Sequence, residues 1–196
     1  MDRKYYRYMY ERIPELIAGK DVLEIATGPG LLAKHVAYAS ERMVATDYSE
    51  GMIKQACKGE YSNKLRFEVA DATNLPYVAD SFDVVLIANA LHVMPHPEKA
   101  LEEIDRVLRE GGILIAPNFV GHKKGVASKL WSGVLRLAGI AFDHQWTAEE
   151  YLTWLADSGW QVDFSRLLKS RIPIQYAECT RKADAGMPAE ANAQRN

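Results

Sequence analysis

Apolar and polar positions along this chain alternate between two periods. Short apolar runs read as strands at Asp21–Ala26, Met43–Thr46, Lys64–Ala70, Phe82–Ala88 and Ile113–Asn118. The fourth contains Val84-Val85-Leu86-Ile87 without a polar break, as a strand buried on both faces requires. Between these runs the spacing turns helical. It predicts helices over Tyr5–Ile17, with a kink or break near Pro14, and over Leu31–Ala39, Glu50 to about Glu60, and Pro97–Leu108. The last shows Leu101, Ile104, Val107 and Leu108 on one face, and Glu110-Gly111-Gly112 stops it. A further helix runs from Thr147 to Asp157 and breaks at Gly159, and two strands follow, Gln161–Leu168 and Ile174–Thr180. Strands alternating with helices imply right-handed crossovers and an α/β, doubly wound, mostly parallel sheet.

Polar residues collect where the strands end. In an open parallel sheet, ligands bind outside the carboxyl ends of the strands. Glu24 stands just before the turn Thr27-Gly28-Pro29-Gly30, the second strand leads to Asp47, the third to Asp71 and the fourth to Asn89. Asp47 lies just under twenty residues past the glycine turn, where a carboxylate can accept from both hydroxyls of a ribose. Asp71 suits the exocyclic amine of a purine, and the Ala72 amide suits a ring nitrogen. Glu24 favours a cationic ligand end, and no lysine or arginine beside the turn would neutralise a pyrophosphate; Lys34 is expected to point outward. On their own, Glu24 and Asp47 also read as helix caps, and Asp71-Ala72 as an ordinary turn.

The apolar fraction of 48% over 196 residues supplies one core, so residues 1–182 read as a single domain. The net charge of −2 gives no basic field for nucleic acid. Cys57 and Cys179 fit no metal or redox spacing and read as reduced thiols of a cytoplasmic protein. No secretory signal or membrane span is read, and no metal is expected. Ala183–Asn196, rich in Ala, Asn and Gln, reads as a disordered tail.

Several motifs together carry a family resemblance. They are Leu23-Glu24-Ile25-Ala26-Thr27-Gly28-Pro29-Gly30, Ala45-Thr46-Asp47-Tyr48-Ser49-Glu50-Gly51-Met52, Ala70-Asp71-Ala72-Thr73-Asn74-Leu75-Pro76, Ser81-Phe82-Asp83-Val84-Val85 and Val107-Leu108-Arg109-Glu110-Gly111-Gly112. The chain resembles a class I S-adenosylmethionine-dependent methyltransferase. It is most similar to the small-molecule branch of the ubiquinone/menaquinone-biosynthesis type. The resemblance implies a seven-stranded, Rossmann-like sheet whose last strand is antiparallel. It implies S-adenosylmethionine as cofactor, with Gly28 and Gly30 cradling its methionine part and Asp47 holding the ribose. Met52 would lie against the adenine beside Tyr48, Asp71 would reach the adenine amine, and the Asn89 backbone would contact the methionyl end. Ala26 belongs to the same set, although the family usually has glycine there.

The reaction so implied is in-line displacement onto a small, apolar or amphipathic acceptor. A general base is needed only if the acceptor must lose a proton. His92 and His144 are the candidates, because imidazole titrates near neutrality. His92 also reads as structural, and His122 is a further substrate-touching candidate. His96 reads as a turn residue, Asp83 as structural, and Trp146 and Tyr176 as core. Apolar residues at helical spacing over Gly125–Phe142 predict a helix within an insertion at about 123–145. It reads as a lid over the acceptor, as a peripheral membrane contact helped by Lys123 and Lys124, or as a core-packed helix. Two other functions compete. Gly28-Pro29-Gly30-Leu31-Leu32-Ala33 fits the looser dinucleotide fingerprint of an NAD(P)-dependent oxidoreductase. Against it stand Pro29, Asp71-Ala72 and the lack of a placed Tyr-x-x-x-Lys pair. The second is a non-catalytic cofactor-, lipid- or partner-binding protein.

Overall fold

The run Val84–Ile87 forms the middle of the sheet. A computed structural model describes residues 3–121, 144–169 and 172–182. In chain order it contains α1 (Arg3–Ile17), β1 (Asp21–Ile25), α2 (Leu31–Val36), a 3₁₀ turn (Ala37–Ala39), β2 (Arg42–Asp47), α3 (Glu50–Ala56) and β3 (Leu65–Val69). β4 (Phe82–Ile87), a second 3₁₀ turn (Leu91–Val93), α4 (Pro97–Val107), β5 (Leu108–Ile115) and β6 (Asn118–Phe119) follow. α5 (Ala148–Asp157), β7 (Trp160–Leu168) and β8 (Ile174–Arg181) complete it.

The strands form one sheet of order β3-β2-β1-β4-β5-β8-β6, with β7 paired to β8. β1 to β5 pair in parallel. β8 runs antiparallel to β5, β6 and β7. The sheet counts eight strands rather than seven only because β6 continues β5 along the same edge of β8. The Ala116 N–H still donates to Ala177 O (2.9 Å), and Pro117, which has no N–H, marks the interruption. Strand order reverses between β1 and β4, so their carboxyl ends open a crevice.

Side-chain alternation assigns the two faces. Val22, Met43, Val84, Leu86 and Ile115 pack under α1 and α2 with Met9, Ile13, Ile17, Leu32 and Val36. Leu23, Ile25, Val85, Ile87 and Leu114 pack under α4 and α5 with Leu101, Ile104, Tyr151 and Leu155. Glu24 shares the α1/α2 face with Val22 by the same period of two. A single helix α1 runs through Pro14 without the expected break. Packing of Met9, Ile13 and Ile17 on successive turns compensates for the missing hydrogen bond. Arg12 also grips buried Glu178 through two 2.8 Å bonds, and Tyr176 donates to the same carboxylate (3.0 Å). α5 begins after Thr147 as expected, with a full capping box to Glu150.

Two boundaries differ most from expectation. α3 ends at Ala56 rather than near Glu60. β5 starts at Leu108, ahead of Gly111-Gly112, not at Ile113. Leu108 pairs Phe82 and Ile113 pairs Val84, so Glu110-Gly111-Gly112 forms an outward step within the strand, with Gly111 at φ 70°.

At the amino ends of the strands, charges close on one another. Arg109 donates to Asp83 (2.8 Å) and Asp21 (3.0 Å), Arg42 donates to Asp21 (2.7 Å), and the Asp21 N–H donates to Asp83 (2.9 Å). The Arg42 hydrogen bond, helped by Arg109, holds Asp21 below its ordinary range. Burial raises Asp83, but Arg109 and the Asp21 amide outweigh it and leave it lowered too. Asp83 is thus structural, as expected. Among the described residues no helix is long and apolar enough to cross a membrane, and no group of His, Cys, Asp and Glu is placed to hold a metal ion.

Candidate active site

The carboxyl ends of β1 and β4 carry a concentration of left-handed backbone. Ala26 has φ 56°, Gly28 57°, Gly30 75° and Asn89 53°. For Ala26, a residue with a Cβ, that conformation costs about 1–2 kcal/mol. The two glycines are needed for different reasons. A Cβ on Gly28 would meet nothing within 4 Å, so the turn presents bare backbone to open space. A Cβ on Gly30 would stand 2.7 Å from the Phe67 ring and 3.1 Å from Ala56. Gly30 therefore lets α2 pack onto β3 and α3.

Glu24 lies beneath this turn rather than on it. It is 2% exposed and accepts from the Thr27 hydroxyl (2.7 Å). Burial pushes its carboxyl up to about 7, with Asp47 adding to the rise and the Thr27 hydroxyl and Ala33 N–H opposing it. Asp47 joins two loops. One oxygen accepts from Gly28 N (2.8 Å), the other from Ser49 N (2.9 Å), and Ser49 caps α3 through Met52 N (3.3 Å). Each carboxylate oxygen keeps a further lone pair for a ligand hydroxyl. Around Asp47 stand large apolar side chains open to solvent: Tyr48 (78% exposed), Leu31 (52%) and Met52 (45%). Leu31 went unnoticed in the sequence, although its place directly after Gly30 was the available signal.

Asp71 is exposed and closes its own turn by accepting from the Thr73 N–H and hydroxyl, both at 2.8 Å. Ala72 is half-buried against the α4/α5 core. Lys34 turns away as expected, donating to Lys58 O (2.6 Å) and sitting over the Tyr61 ring at 5.5 Å.

A second wall forms where β4 and β6 end. Asn89 N donates to Pro117 O (2.7 Å). His92, 3% exposed, is bonded through Nδ1 to Asn118 Oδ1 (2.9 Å) and lies edge-on to Phe119. Burial lowers its pKa, with the Asn118 bond opposing. These contacts hold the ring in place. The His92 carbonyl accepts from His144 N (3.0 Å), and Gly121 N donates to Trp146 O (2.8 Å), so residues 144–146 lie across these strand ends. The His144 ring stacks on Trp146 (5.1 Å, 9° between planes), and Trp146 on Trp154 (4.7 Å). Trp146 is half-buried in this stack, whereas Tyr176 is fully buried core. His96 is exposed beside Glu98. His122, the helix expected over Gly125–Phe142 with Lys123 and Lys124, and the tail Ala183–Asn196 lie outside the described residues.

A family model described as a methyltransferase domain matches residues 23–116. Over 195 aligned residues the chain is 30% identical to the demethylmenaquinone methyltransferase of Paenarthrobacter aurescens, a match covering 90% of this chain and 76% of that protein. It is 37% identical over 106 residues to the demethylmenaquinone methyltransferase of Clavibacter sepedonicus, covering 53% of this chain but only 42% of that relative's length. The methyltransferase solved with the Haloferax volcanii Trm112 methyltransferase activator shares the fold, with a TM-score of 0.76 at 19% identity over 93% of this chain and 90% of its own. Similarity maintained across nearly the whole sheet goes well beyond a shared glycine turn and decides against the dinucleotide oxidoreductase. The chain belongs to the class I S-adenosylmethionine-dependent methyltransferases.

Proposed function

We propose that this protein transfers a methyl group from S-adenosylmethionine to a small, apolar or amphipathic acceptor related to the quinone precursor named for its relatives. The observation that carries the reading is the convergence of features at the carboxyl ends of β1 and β4, where the strand order reverses. There strained backbone, a bare glycine turn and a buried, partnerless side-chain oxygen on Asn89 occur together. The residues fit the cofactor. Gly28 and Ala26 offer backbone to its methionine part, and the Asp47 oxygens accept from the ribose hydroxyls. Leu31, Tyr48 and Met52 cover the adenine, with Asp71 and Ala72 along its polar edge. Asn89 Oδ1 suits an ammonium donor. Bound there, S-adenosylmethionine supplies a methyl group on a positively charged sulfur.

The chain's own part is alignment and exclusion of water. Positioning two reactants supplies up to about 7–11 kcal/mol in favourable systems. The aromatic stack His144–Trp146–Trp154 offers a flat apolar wall on the acceptor side. Calorimetric titration with S-adenosylhomocysteine and with NADH tests the cofactor assignment, and labelled methyl transfer to a panel of quinols, phenols, thiols and amines tests the acceptor class. Saturable binding of S-adenosylhomocysteine alone, with transfer confined to ring-bearing apolar acceptors, is expected. Binding of NADH alone, or transfer only to highly charged acceptors, overturns the reading.

A further inference from the structure

Among the described residues, two buried side-chain polar atoms have no hydrogen-bond partner, Asn89 Oδ1 and His144 Nε2. Buried polar groups are nearly always paired, so each such atom calls for a specific account. Asn89 sits at the end of β4 with its N–H committed to Pro117, on the cofactor side of the crevice. His144 lies on the other side. Its backbone is tied to the His92 carbonyl, and its ring is held flat against Trp146, which stacks in turn on Trp154. The imidazole is thus fixed in orientation, with Nε2 buried and without a hydrogen-bond partner.

We infer that His144 Nε2 receives a ring hydroxyl of the methyl acceptor and takes its proton, which makes the acceptor an aromatic or enolic alcohol; the inference rests on the methyltransferase reading above. A flat ring matches the stack beside Nε2. Glu98, at the start of α4, lies within electrostatic reach of His144. α4 also begins with His96 and carries Lys99, and α5 adds Glu149 and Glu150 in its first turn. His92 meets His144 through its carbonyl, and its own ring is engaged by Asn118.

In the step assigned to His144, the acceptor O–H bond breaks and an N–H bond forms at Nε2. The acceptor is left with an electron pair on oxygen or on a conjugated ring carbon, free to attack the methyl group. Acceptor anion and sulfonium become neutral together on transfer, and the imidazolium returns its proton to water as product leaves. His92 is a positioning residue for this base: its ring is locked to Asn118 and its carbonyl holds the His144 backbone.

The test uses the full chain saturated with S-adenosylhomocysteine and two probes, 1,4-dihydroxynaphthalene under argon and its dimethyl ether. Calorimetry is expected to show the diol binding at least tenfold more tightly than the diether. In His144→Phe that preference disappears, while affinity for S-adenosylhomocysteine stays within twofold. His144→Gln, able to hydrogen-bond but not to take the proton, keeps the preference. It loses at least a hundredfold in methyl transfer to the diol, together with the acid limb of the pH–rate profile. Should His144→Phe fail to fold, the His144→Gln result decides alone. With S-adenosylhomocysteine bound normally, equal affinity for diol and diether, no transfer to the diol by the wild type, or transfer by His144→Gln at the wild-type rate each overturns the inference. Failure of the wild type to bind S-adenosylhomocysteine overturns the methyltransferase reading itself.

Discussion

The two ends of the strands are built on opposite terms. At the amino ends, Asp21, Arg42, Asp83 and Arg109 are linked to one another by ion pairs and hydrogen bonds. At the carboxyl ends, Ala26 and Asn89 hold left-handed backbone, Leu31, Tyr48 and Met52 face solvent, and Asn89 Oδ1 and His144 Nε2 are buried without partners. One edge minimises its own free energy. The other holds backbone strain and unpaired buried atoms, which is where function in a parallel sheet is expected.

The comparison is broken most sharply at Gly28. Gly28→Val places a branched side chain into the space above the turn, at a φ that disfavours it. Affinity for S-adenosylhomocysteine should fall by at least about a hundredfold, or roughly 2.8 kcal/mol. Unaltered affinity by calorimetry would mean that the turn does not touch the ligand. Asp47→Ala comes next. Loss of charge-assisted hydrogen bonds of about 1.5–3 kcal/mol should weaken binding by at least tenfold. Because Asp47 also anchors Gly28 and Ser49, Asp47→Asn separates the charge from the tether and should retain part of the affinity.

The two edges should also respond to pH with opposite sign. Glu24 keeps its proton in the folded state up to about 7, while the unfolded chain loses it near the ordinary value of 4.5. The folded state therefore binds more protons between those values, and stability falls as pH rises through that window. Glu24→Gln should abolish this fall in thermal melts; an unchanged slope contradicts the burial of the charge. Asp21 and Asp83 are depressed below their ordinary 3.8. Their contribution is present above that value and is lost as pH drops below it. Arg109→Ala should flatten this acid response. It should cost about 1 kcal/mol, since the network is partly solvent-screened, and lower Tm by about 2–4 °C. Binding of S-adenosylhomocysteine should stay within twofold, and a larger loss would show that the amino edge reaches the site.

The smallest effect is expected at Ala26. Ala26→Gly relieves about 1–2 kcal/mol of left-handed strain but adds about 0.5–1 kcal/mol of glycine entropy. A net gain below about 1 kcal/mol should appear as a slightly raised Tm. A lowered Tm would mean that the Ala26 methyl group packs better than its backbone is strained.

Much of this was legible in the residues. Val84–Ile87 could only be an interior strand, and the spacing from Gly28 to Asp47 carried the carboxylate to the next strand end. What sequence patterns could not convey depends on contacts between distant segments. Gly30 is required by Phe67, two strands away. Glu24 sits under its turn because the alternation along β1 turns it toward α2. Pro14 stays helical because three buried side chains hold α1 down. The step at Gly111-Gly112 appears only once β5 is set against β4. The two histidines are joined by a single backbone hydrogen bond between residues far apart in sequence, from His144 N to His92 O.

The most direct test is a crystal structure of the protein grown with S-adenosylhomocysteine. The ligand should lie across the ends of β1, β2 and β4, with its ribose on Asp47 and its ammonium on Asn89 Oδ1. An empty crevice with the compound bound elsewhere, or a ligand at this edge making no contact with Gly28 or Asp47, would contradict the account.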